Sequence, residues 1–238
     1  MGANIVSLIK DDKDAEIVCG VDPRGLKAEV PVYSSYSDVK EKVDVIIDFS
    51  SPAALKDELD WAVKNNVPAV LAATGYDEGQ LALIKKCSEK IAVFKTANFS
   101  LGVNLLVKLV REAAEALGEN FDIEITERHH NQKADAPSGT ALMLAEGANA
   151  AFGGGKNYLY GRSGIVGKRG NEIGIHALRG GTIVGDHDVM FAGEDEIITL
   201  SHSARSKRVF AAGAVKAAKW LAGKERGLYD MTDVLENL

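Results

Sequence analysis

The stretch that decides the fold is VDVIIDFSSPAALKDELDWAVKNNVPAVLAA, residues 43–73. Val43–Phe49 is almost entirely apolar, which is typical of a strand covered by helices on both faces. Ala53–Asn65 places its apolar residues at helical spacing, and Ala69–Ala73 is a second apolar strand. The helix is expected to bury Ala54, Leu55, Leu59 and Ala62. Strand, helix and strand in this order predict a unit of a parallel sheet.

Runs of the same character occur on both sides of this unit. They are Glu16–Val21, Ile91–Phe94 and Phe121–Glu127. Leu101–Leu117 is predicted to be a helix that turns Leu105, Leu109, Ala113 and Ala116 toward the core. The alternation of strands and helices from residue 16 to about residue 130 predicts an α/β fold with a Rossmann-like parallel sheet domain.

The pattern changes after the glycine-rich segments Gly153–Gly155 and Gly161–Gly170. Three strand-like runs follow with no helix between them, which predicts a mostly antiparallel sheet in a second, α+β domain. These runs are Glu172–Leu178, Thr182–Phe191 and Glu196–Ser203. A last apolar helix, Lys207–Leu221, could pack against either domain through Phe210, Ala214, Ala217 and Leu221.

Composition limits the classes of function. The chain has 238 residues, a formal net charge of −6 and 2 cysteines, and its pI is near 5.5. An acidic chain is not expected to bind nucleic acid or a membrane surface. Cys19 and Cys87 have no metal-ligand spacing and are interpreted as free thiols. With no stretch long enough to span a bilayer, the sequence predicts a cytoplasmic enzyme.

Three loops are candidates for binding a nucleotide, because ligands of parallel sheets lie beyond the carboxyl ends of the strands. Asp22 could accept a hydrogen bond from a ribose hydroxyl, or simply open a turn. Ala72, Ala73, Thr74 and Gly75 would allow close approach to the backbone, and an ordinary turn would use the same residues. In Thr96, Ala97, Asn98, Phe99 and Ser100, the serine is a good helix N-cap, and capping leaves Asn98 unexplained.

The usual first strand of a dinucleotide-binding fold, with its G-x-G-x-x-G turn, does not appear in the sequence. Only Met1-Gly2 precedes a helix-like segment, Ala3–Lys10. The sequence therefore predicts a parallel sheet with its first strand missing. We expect either that the start of the chain is truncated or that cofactor binding is impaired.

The segment richest in chemistry is ERHHNQKADAPSGTA, residues 127–141. His129 can exchange a proton near neutral pH, and His130 is expected to face another direction on the strand. If Pro137 and Ser138 open a helix, the amides of Gly139 and Thr140 can hold a carboxylate, with Lys133 as a charged partner. Taken singly, each feature could be structural. Zinc is a weaker interpretation, since no H-E-x-x-H spacing is present, and the prediction for metals is none.

This segment closely resembles the signature of the dihydrodipicolinate reductases. The resemblance continues along nearly the whole chain. It includes Val21-Asp22, Asp48-Phe49-Ser50, Thr74-Gly75, residues 97–104, Arg179-Gly180-Gly181, Val184-Gly185-Asp186-His187 and His202–Arg208. One departure is Ala72-Ala73-Thr74 where Gly-Thr-Thr is often found.

The resemblance implies an NAD(P)H-dependent reduction of 4-hydroxy-tetrahydrodipicolinate to tetrahydrodipicolinate, in lysine and diaminopimelate biosynthesis. It implies that His129 donates or accepts a proton, Lys133 donates a proton and His130 contacts a cyclic dicarboxylate substrate. Gly139 and Thr140 would hold the substrate carboxylate. NADPH or NADH would be contacted by Asp22, Ala72, Ala73, Thr74, Thr96, Ala97, Asn98 and Phe99.

The family's organisation implies a dinucleotide-binding domain at residues 1–100 and 207–238. Residues 101–206 would form the substrate-binding and tetramerisation domain of a homotetramer, with a mixed sheet. Asp22 could favour a free ribose 2′-hydroxyl, whereas Arg24 could reach a 2′-phosphate, so the choice of cofactor stays open. The alternative function is a reductase-derived binding or regulatory protein with an impaired nucleotide site. A different nicotinamide-dependent reductase is a second alternative.

Overall fold

The computed structural model describes residues 1–237. They form two compact units: unit 1 contains Met1–Phe99 and the C-terminal segment from Phe210, and unit 2 is Ser100–Val209. Within the described chain, no helix combines the length and apolarity that crossing a bilayer would require.

The helices are α1 Gly2–Ile9, α2 Leu55–Asn65, α3 Glu78–Ser88, α4 Leu101–Leu117, α5 Gly139–Ala150, α6 Arg208–Leu221 and α7 Met231–Glu236. The strands are β1 Gly20–Val21, β2 Val32–Tyr33, β3 Ile46–Asp48, β4 Ala69–Leu71, β5 Ala92–Lys95, β6 Asp122–His129, β7 Asn157–Tyr160, β8 Glu172–Arg179, β9 Gly185–Ala192, β10 Ile197–Ala204 and β11 Gly227–Tyr229.

Unit 1 contains the predicted parallel sheet. Its four strands lie in the order β11-β5-β4-β3, and every pairing is parallel. Leu55, Leu59 and Ala62 of α2 are buried against it, as their spacing predicts, whereas Ala54 lies outside the helix in a short 3-10 turn. Apolar strands and an amphipathic helix are enough to explain this arrangement.

The first strands of unit 1 form a separate sheet. β1 and β2 pair in parallel in a two-stranded sheet, and within residues 1–237 β1 does not pair with β3. The helix-like segment at the start is α1, and its Ile5 and Ile9 are buried with Ala211 of α6. The predicted lack of an earlier strand stays a prediction.

The C-terminal helix α6 packs in unit 1. It buries Ala214, Ala217 and Leu221, as the sequence predicts. Gly213 permits the contact, because a Cβ there would lie 1.6 Å from the carbonyl oxygen of Phe99. Any side chain larger than glycine would therefore push α6 away from the backbone of Phe99, in the loop that follows β5.

Unit 2 is a five-stranded sheet in the order β10-β9-β6-β8-β7. Two pairings are antiparallel and two are parallel. The predicted mixed sheet is confirmed, but its description as mostly antiparallel is wrong, since apolar alternation carries no information on strand direction. Phe121–Glu127, predicted in the parallel sheet, corresponds to β6 of this sheet.

Helix α4 shows a second correction. Its buried residues are Val103, Leu106, Val110 and Ala114, one position away from the predicted stripe. Leu105 is 44% exposed and Leu109 is 40% exposed. The helix has two neighbouring apolar stripes, and periodicity alone does not show which of them meets the sheet.

Candidate active site

The alternation of β6 positions the first site residues of unit 2. Ile123, Ile125, Glu127 and His129 are buried at every second position of the strand. The two isoleucines pack in the core beneath α4 and α5. Strand geometry therefore brings Glu127 and His129 to the same covered face.

Helix α5 begins beside this strand end. Ser138 is its N-cap, and its Oγ accepts a hydrogen bond from the amide of Ala141 at 3.1 Å. Such caps typically stabilise a helix by about 1 kcal/mol. The amide of Ser138 donates to Oε1 of Glu127 at 2.9 Å. The predicted helix start is confirmed, and β6 is directly bonded to it.

Glu127 has 0% of its surface exposed and is held by three residues. Arg179 of β8 donates one hydrogen bond to each carboxylate oxygen, both at 2.8 Å. Nδ1 of His129 lies 2.6 Å from Oε2. Burial alone would raise the pKa of the Glu127 carboxyl, but the bonds from Arg179, His129 and Ser138 outweigh it and lower the pKa. We call Glu127, His129, Ser138 and Arg179 the Glu127 cluster.

His187 of β9 is a second histidine beside His129. The two rings meet edge to face with centroids 5.2 Å apart, and Nε2 of His187 lies 3.0 Å from Oγ of Ser138. Burial, followed by the neighbouring His129, lowers the pKa of His187 to about 4. This imidazole is therefore neutral at physiological pH.

Lys133 lies in the loop between β6 and α5. Its Nζ is 2.7 and 2.8 Å from the two carboxylate oxygens of Asp135. The carbonyl oxygen of Asp135 accepts a hydrogen bond from Arg179 at 2.7 Å. Arg179 therefore connects the loop that carries Lys133 to the Glu127 cluster.

His130 follows the last residue of β6. Its Nδ1 is buried and has no hydrogen-bond partner among residues 1–237. An unpaired buried ring nitrogen is costly unless a ligand or water completes it. This property suits a residue that contacts a ligand.

In unit 1, two of the candidate loops follow neighbouring strands. Ala72, Ala73 and Thr74 come directly after β4, and Thr96 comes directly after β5, with which β4 pairs. Oγ1 of Thr96 donates to the carbonyl oxygen of Asn98 at 3.1 Å. The ring of Phe99 packs against Phe49 and Phe94, so a ligand would meet its backbone.

Asp22 follows β1 and is bound to Arg24. The guanidinium reaches both oxygens of its carboxylate, at 3.0 and 2.8 Å. The hydrogen bonds from Arg24 lower the pKa of Asp22 to about 2. Because 75% of the Arg24 side chain is exposed, this ion pair can open at little cost.

These loops fit a pyridine nucleotide. Gly75 has φ +84°, and a Cβ there would meet nothing within 4 Å, so the backbone after β4 is open to a ligand. Ala72 and Ala73 add little bulk beside it. Asp22 and Arg24 offer an acceptor for ribose hydroxyls and a donor for phosphate.

Two family models together match nearly the whole chain. The family model described as "Dihydrodipicolinate reductase, N-terminus" matches residues 1–99. The model described as "Dihydrodipicolinate reductase, C-terminus" matches residues 102–235. The chain belongs to the dihydrodipicolinate reductase family. The predicted family is therefore confirmed.

Curated relatives of this family cover the whole chain. A 4-hydroxy-tetrahydrodipicolinate reductase of Caldanaerobacter subterraneus subsp. tengcongensis is 49% identical, over 99% of this chain and 94% of the relative. The enzyme of that name from Clostridium tetani is 44% identical, over 100% of this chain and 93% of the relative. The family is one of oxidoreductases and implies a pyridine nucleotide cofactor.

Solved structures agree with the fold. The dipicolinate-bound dihydrodipicolinate reductase from Paenisporosarcina sp. TG-14 is 26% identical, with a TM-score of 0.80 over 96% of this chain and 92% of that chain. A probable dehydrogenase from Thermotoga maritima is 14% identical, with a TM-score of 0.59 over 98% and 89%, and this likeness concerns the fold alone. The predicted Rossmann-like and mixed-sheet architecture is confirmed.

Three residues of the candidate site were not predicted from the sequence: Glu127, Arg179 and His187. All three occur in motifs that carry the family resemblance, but no role was predicted for them. The alternation of β6 was a usable signal for Glu127, because it shares a face with His129. Arg179 and His187 come from other strands, and their approach depends on the pairing of β8 and β9 with β6.

Proposed function

We propose that the chain catalyses the NAD(P)H-dependent reduction of 4-hydroxy-tetrahydrodipicolinate to tetrahydrodipicolinate, a step of lysine and diaminopimelate biosynthesis. The observation that carries this proposal is that Glu127 binds both the imidazole of His129 and the amide of Ser138, the N-cap of α5. An acid and an anion-binding helix terminus thus belong to one connected cluster. The family membership supports the same reaction.

The substrate is a cyclic dicarboxylate, so its binding needs partners for negative charge. The amides of Gly139 and Thr140 lie in the first turn of α5, where the helix dipole favours a carboxylate. Lys133 supplies a charged donor, and Asp135 would release it when the substrate carboxylate competes for Nζ. The unpartnered Nδ1 of His130 supports its role as a substrate contact.

Loss of water from the substrate gives a conjugated imine. NADPH or NADH, when bound, would supply a hydride to C4 of the ring, and the resulting enamine would need a proton at the adjacent carbon. His129, alone or with Lys133, donates this proton. General acid catalysis of this kind contributes about 10²- to 10⁴-fold.

The cofactor is assigned to residues of unit 1. Asp22 and Arg24 would bind the adenosine ribose, and Ala72, Ala73 and Thr74 would lie beside the nicotinamide ribose. The loop Thr96–Phe99 would supply backbone contacts. We accordingly propose dinucleotide binding for residues 1–100 and 207–238, and substrate binding and tetramerisation for residues 101–206.

We also propose a cytoplasmic homotetramer that associates through the sheet of unit 2. The face opposite α4 and α5 carries Leu178, 48% exposed, and Ile197, 64% exposed. Exposed apolar side chains on an uncovered sheet face are typical of a protein contact.

The test is an assay of NADPH and NADH oxidation, with substrate generated by a dihydrodipicolinate synthase. We expect turnover that requires the synthase product, and His129→Gln should lower kcat with little change in KM. Binding of dipicolinate, a stable dicarboxylate analogue, is measured in parallel. Dipicolinate binding without oxidation of either cofactor would reject the reductase and favour a binding or regulatory protein.

A further inference from the structure

The bonds of Glu127 determine where His129 carries its protons. A carboxylate has about four acceptor sites and no donor. Arg179, Ser138 and His129 make four bonds to Glu127. Because the pKa of Glu127 is lowered, the carboxyl group is ionised. Nδ1 of His129 must then be the donor.

This leaves Nε2 of His129 as the atom that gains or loses a proton. Only 10% of the His129 side chain is exposed, and the bond to Glu127 limits rotation of the ring. A ring fixed through Nδ1 presents Nε2 in one direction only. The carboxylate also stabilises the positive charge of the imidazolium.

Arg179 alone neutralises the charge of Glu127 and fills two of its acceptor sites. The two further partners are the imidazole of His129 and the amide that precedes Gly139. These are the groups to which the proposed function assigns proton donation and carboxylate binding. The same carboxylate thus sets the position of one relative to the other.

We propose that Glu127 is a positioning residue, which keeps His129 protonated at Nδ1 and fixes its Nε2 as the proton donor to the substrate. The proposal rests on the proposed function of His129. Glu127 does not touch the substrate and acts through His129, while Arg179 and Ser138 hold the carboxylate in place.

The first experiment observes the histidine nitrogens of the wild-type chain by ¹⁵N NMR. The chain has 5 histidines, and the signals of His129 are identified by their loss in His129→Gln. We expect the ¹⁵N chemical shifts of the neutral ring to identify Nδ1 as the protonated nitrogen and Nε2 as the unprotonated one. A neutral His129 protonated at Nε2 instead would overturn the proposal, and this arm needs no variant of Glu127.

The second experiment compares Glu127→Gln with a matched control, Glu124→Gln. Glu124 lies on the same strand and binds His176, Arg162 and Arg169, but it lies on the opposite face of the sheet. We expect Glu127→Gln to lower kcat by about 10²-fold, within the range of general acid catalysis. Glu124→Gln should lower the melting temperature without changing the pH profile of kcat.

The pH profile separates positioning from a structural role. The charged and titratable groups around His129 are Glu127 on β6, Arg179 on β8 and His187 on β9. His187 is neutral, with a pKa of about 4, and Arg179 stays charged. We therefore expect the pH profile of kcat to change in Glu127→Gln, because glutamine lacks the negative charge that faces the imidazole of His129.

A double-mutant cycle decides whether Glu127 acts through His129. If it does, adding Glu127→Gln to His129→Gln should lower kcat by less than about threefold more, because coupled residues are not additive. If Glu127→Gln lowers kcat by the same factor with and without His129, the positioning role of Glu127 is rejected while the proposed role of His129 is not. Near-normal kinetics of His129→Gln would instead reject the proposed role of His129, so the two failures are distinguishable.

Discussion

Gly185 lies directly against the imidazole of His129: a Cβ on residue 185 would be 2.9 Å from Nε2. Glycine leaves space beside the atom that is proposed to donate the proton. The bond between His129 and Glu127 prevents the ring from moving away freely.

We predict that Gly185→Ala lowers kcat by about 10-fold or more, since small displacements of a catalytic group cost up to about 10²-fold. The melting temperature should also fall, since overpacking a buried site costs about 1 to 3 kcal/mol. Steady-state kinetics and thermal unfolding provide the measurement. The control is Gly180→Ala, where a Cβ would meet nothing within 4 Å. Equal kcat values for the two variants would show that space beside Nε2 is unimportant.

Lys133 provides a test of carboxylate binding. Lys133→Met keeps the length of the side chain but removes its charge, so we expect a lower kcat and dipicolinate binding weakened by at least about 10-fold, as for the loss of a charged hydrogen bond. Asp135→Asn is the matched variant, because it removes the competing partner of Nζ and should not weaken binding. Titration calorimetry with dipicolinate measures both. Unchanged binding in Lys133→Met would reject its role.

The Asp22–Arg24 pair leads to a prediction about the choice between NADPH and NADH. Arg24→Ala should raise the KM for NADPH by about 10-fold, the cost of one phosphate contact, and leave the KM for NADH nearly unchanged. Asp22→Asn should impair NADH more than NADPH. Kinetics with both cofactors provide the measurement, with the exposed Lys27→Ala as control. A similar change in both KM values for Arg24→Ala would contradict the prediction.

Glu58 of α2 predicts a pH dependence of stability. It is 0% exposed and Asp48 is 4% exposed, and burial followed by the charge of Asp48 raises the pKa of Glu58 well above its ordinary value. Protonated Glu58 stabilises the folded chain relative to its ionised form, and this contribution is complete below the unfolded-state pKa of about 4.3. It is lost as the pH rises through the raised folded-state pKa.

Glu58→Gln imitates the protonated group, so its melting temperature should exceed that of the wild type at pH 8.5, with a smaller difference at pH 5. Thermal unfolding at the two pH values measures the effect. Asp57→Asn, an exposed change in the same helix, should show no such dependence. A constant difference for Glu58→Gln would indicate that Glu58 ionises normally.

The exposed face of the unit 2 sheet predicts the effect of a charge at Ile197. If the proposed tetramer forms through this face, Ile197→Lys should lower the mass in solution, because a buried unpaired charge is unfavourable in an apolar interface. Light scattering after gel filtration gives the mass. Leu81→Lys, at an exposed apolar position of α3, is the control. An unchanged mass for Ile197→Lys would place the interface elsewhere.

The sequence predicts the elements whose stability is local. Ser138 marks the start of α5 because a serine before a helical pattern caps it, and the spacing of Leu55, Leu59 and Ala62 identifies the buried face of α2. The strands β7 and β11 were not predicted. They have four and three residues, and they depend on pairing with β8 and β5.

The residues of the candidate site also fall into a group that the sequence predicts and a group that it does not. The sequence predicts that His129, Lys133 and Gly139 lie close together, because the local pattern indicates a strand end followed by a helix start. The bonds that join Arg179 and His187 to this segment span 52 and 49 residues. No local pattern contains the register between β6, β8 and β9 that creates them.

The two-segment construction of unit 1 has a consequence for synthesis on the ribosome. Ser100–Val209 is continuous and contains all five strands of its own sheet, so a nascent chain can complete unit 2 as soon as β10 has emerged. In the sheet of unit 1, the edge of β5 stays unpaired for longer, because its neighbour β11 is among the last elements to be translated. Until then that edge is a site for wrong pairing, and chaperone binding is most useful during this interval.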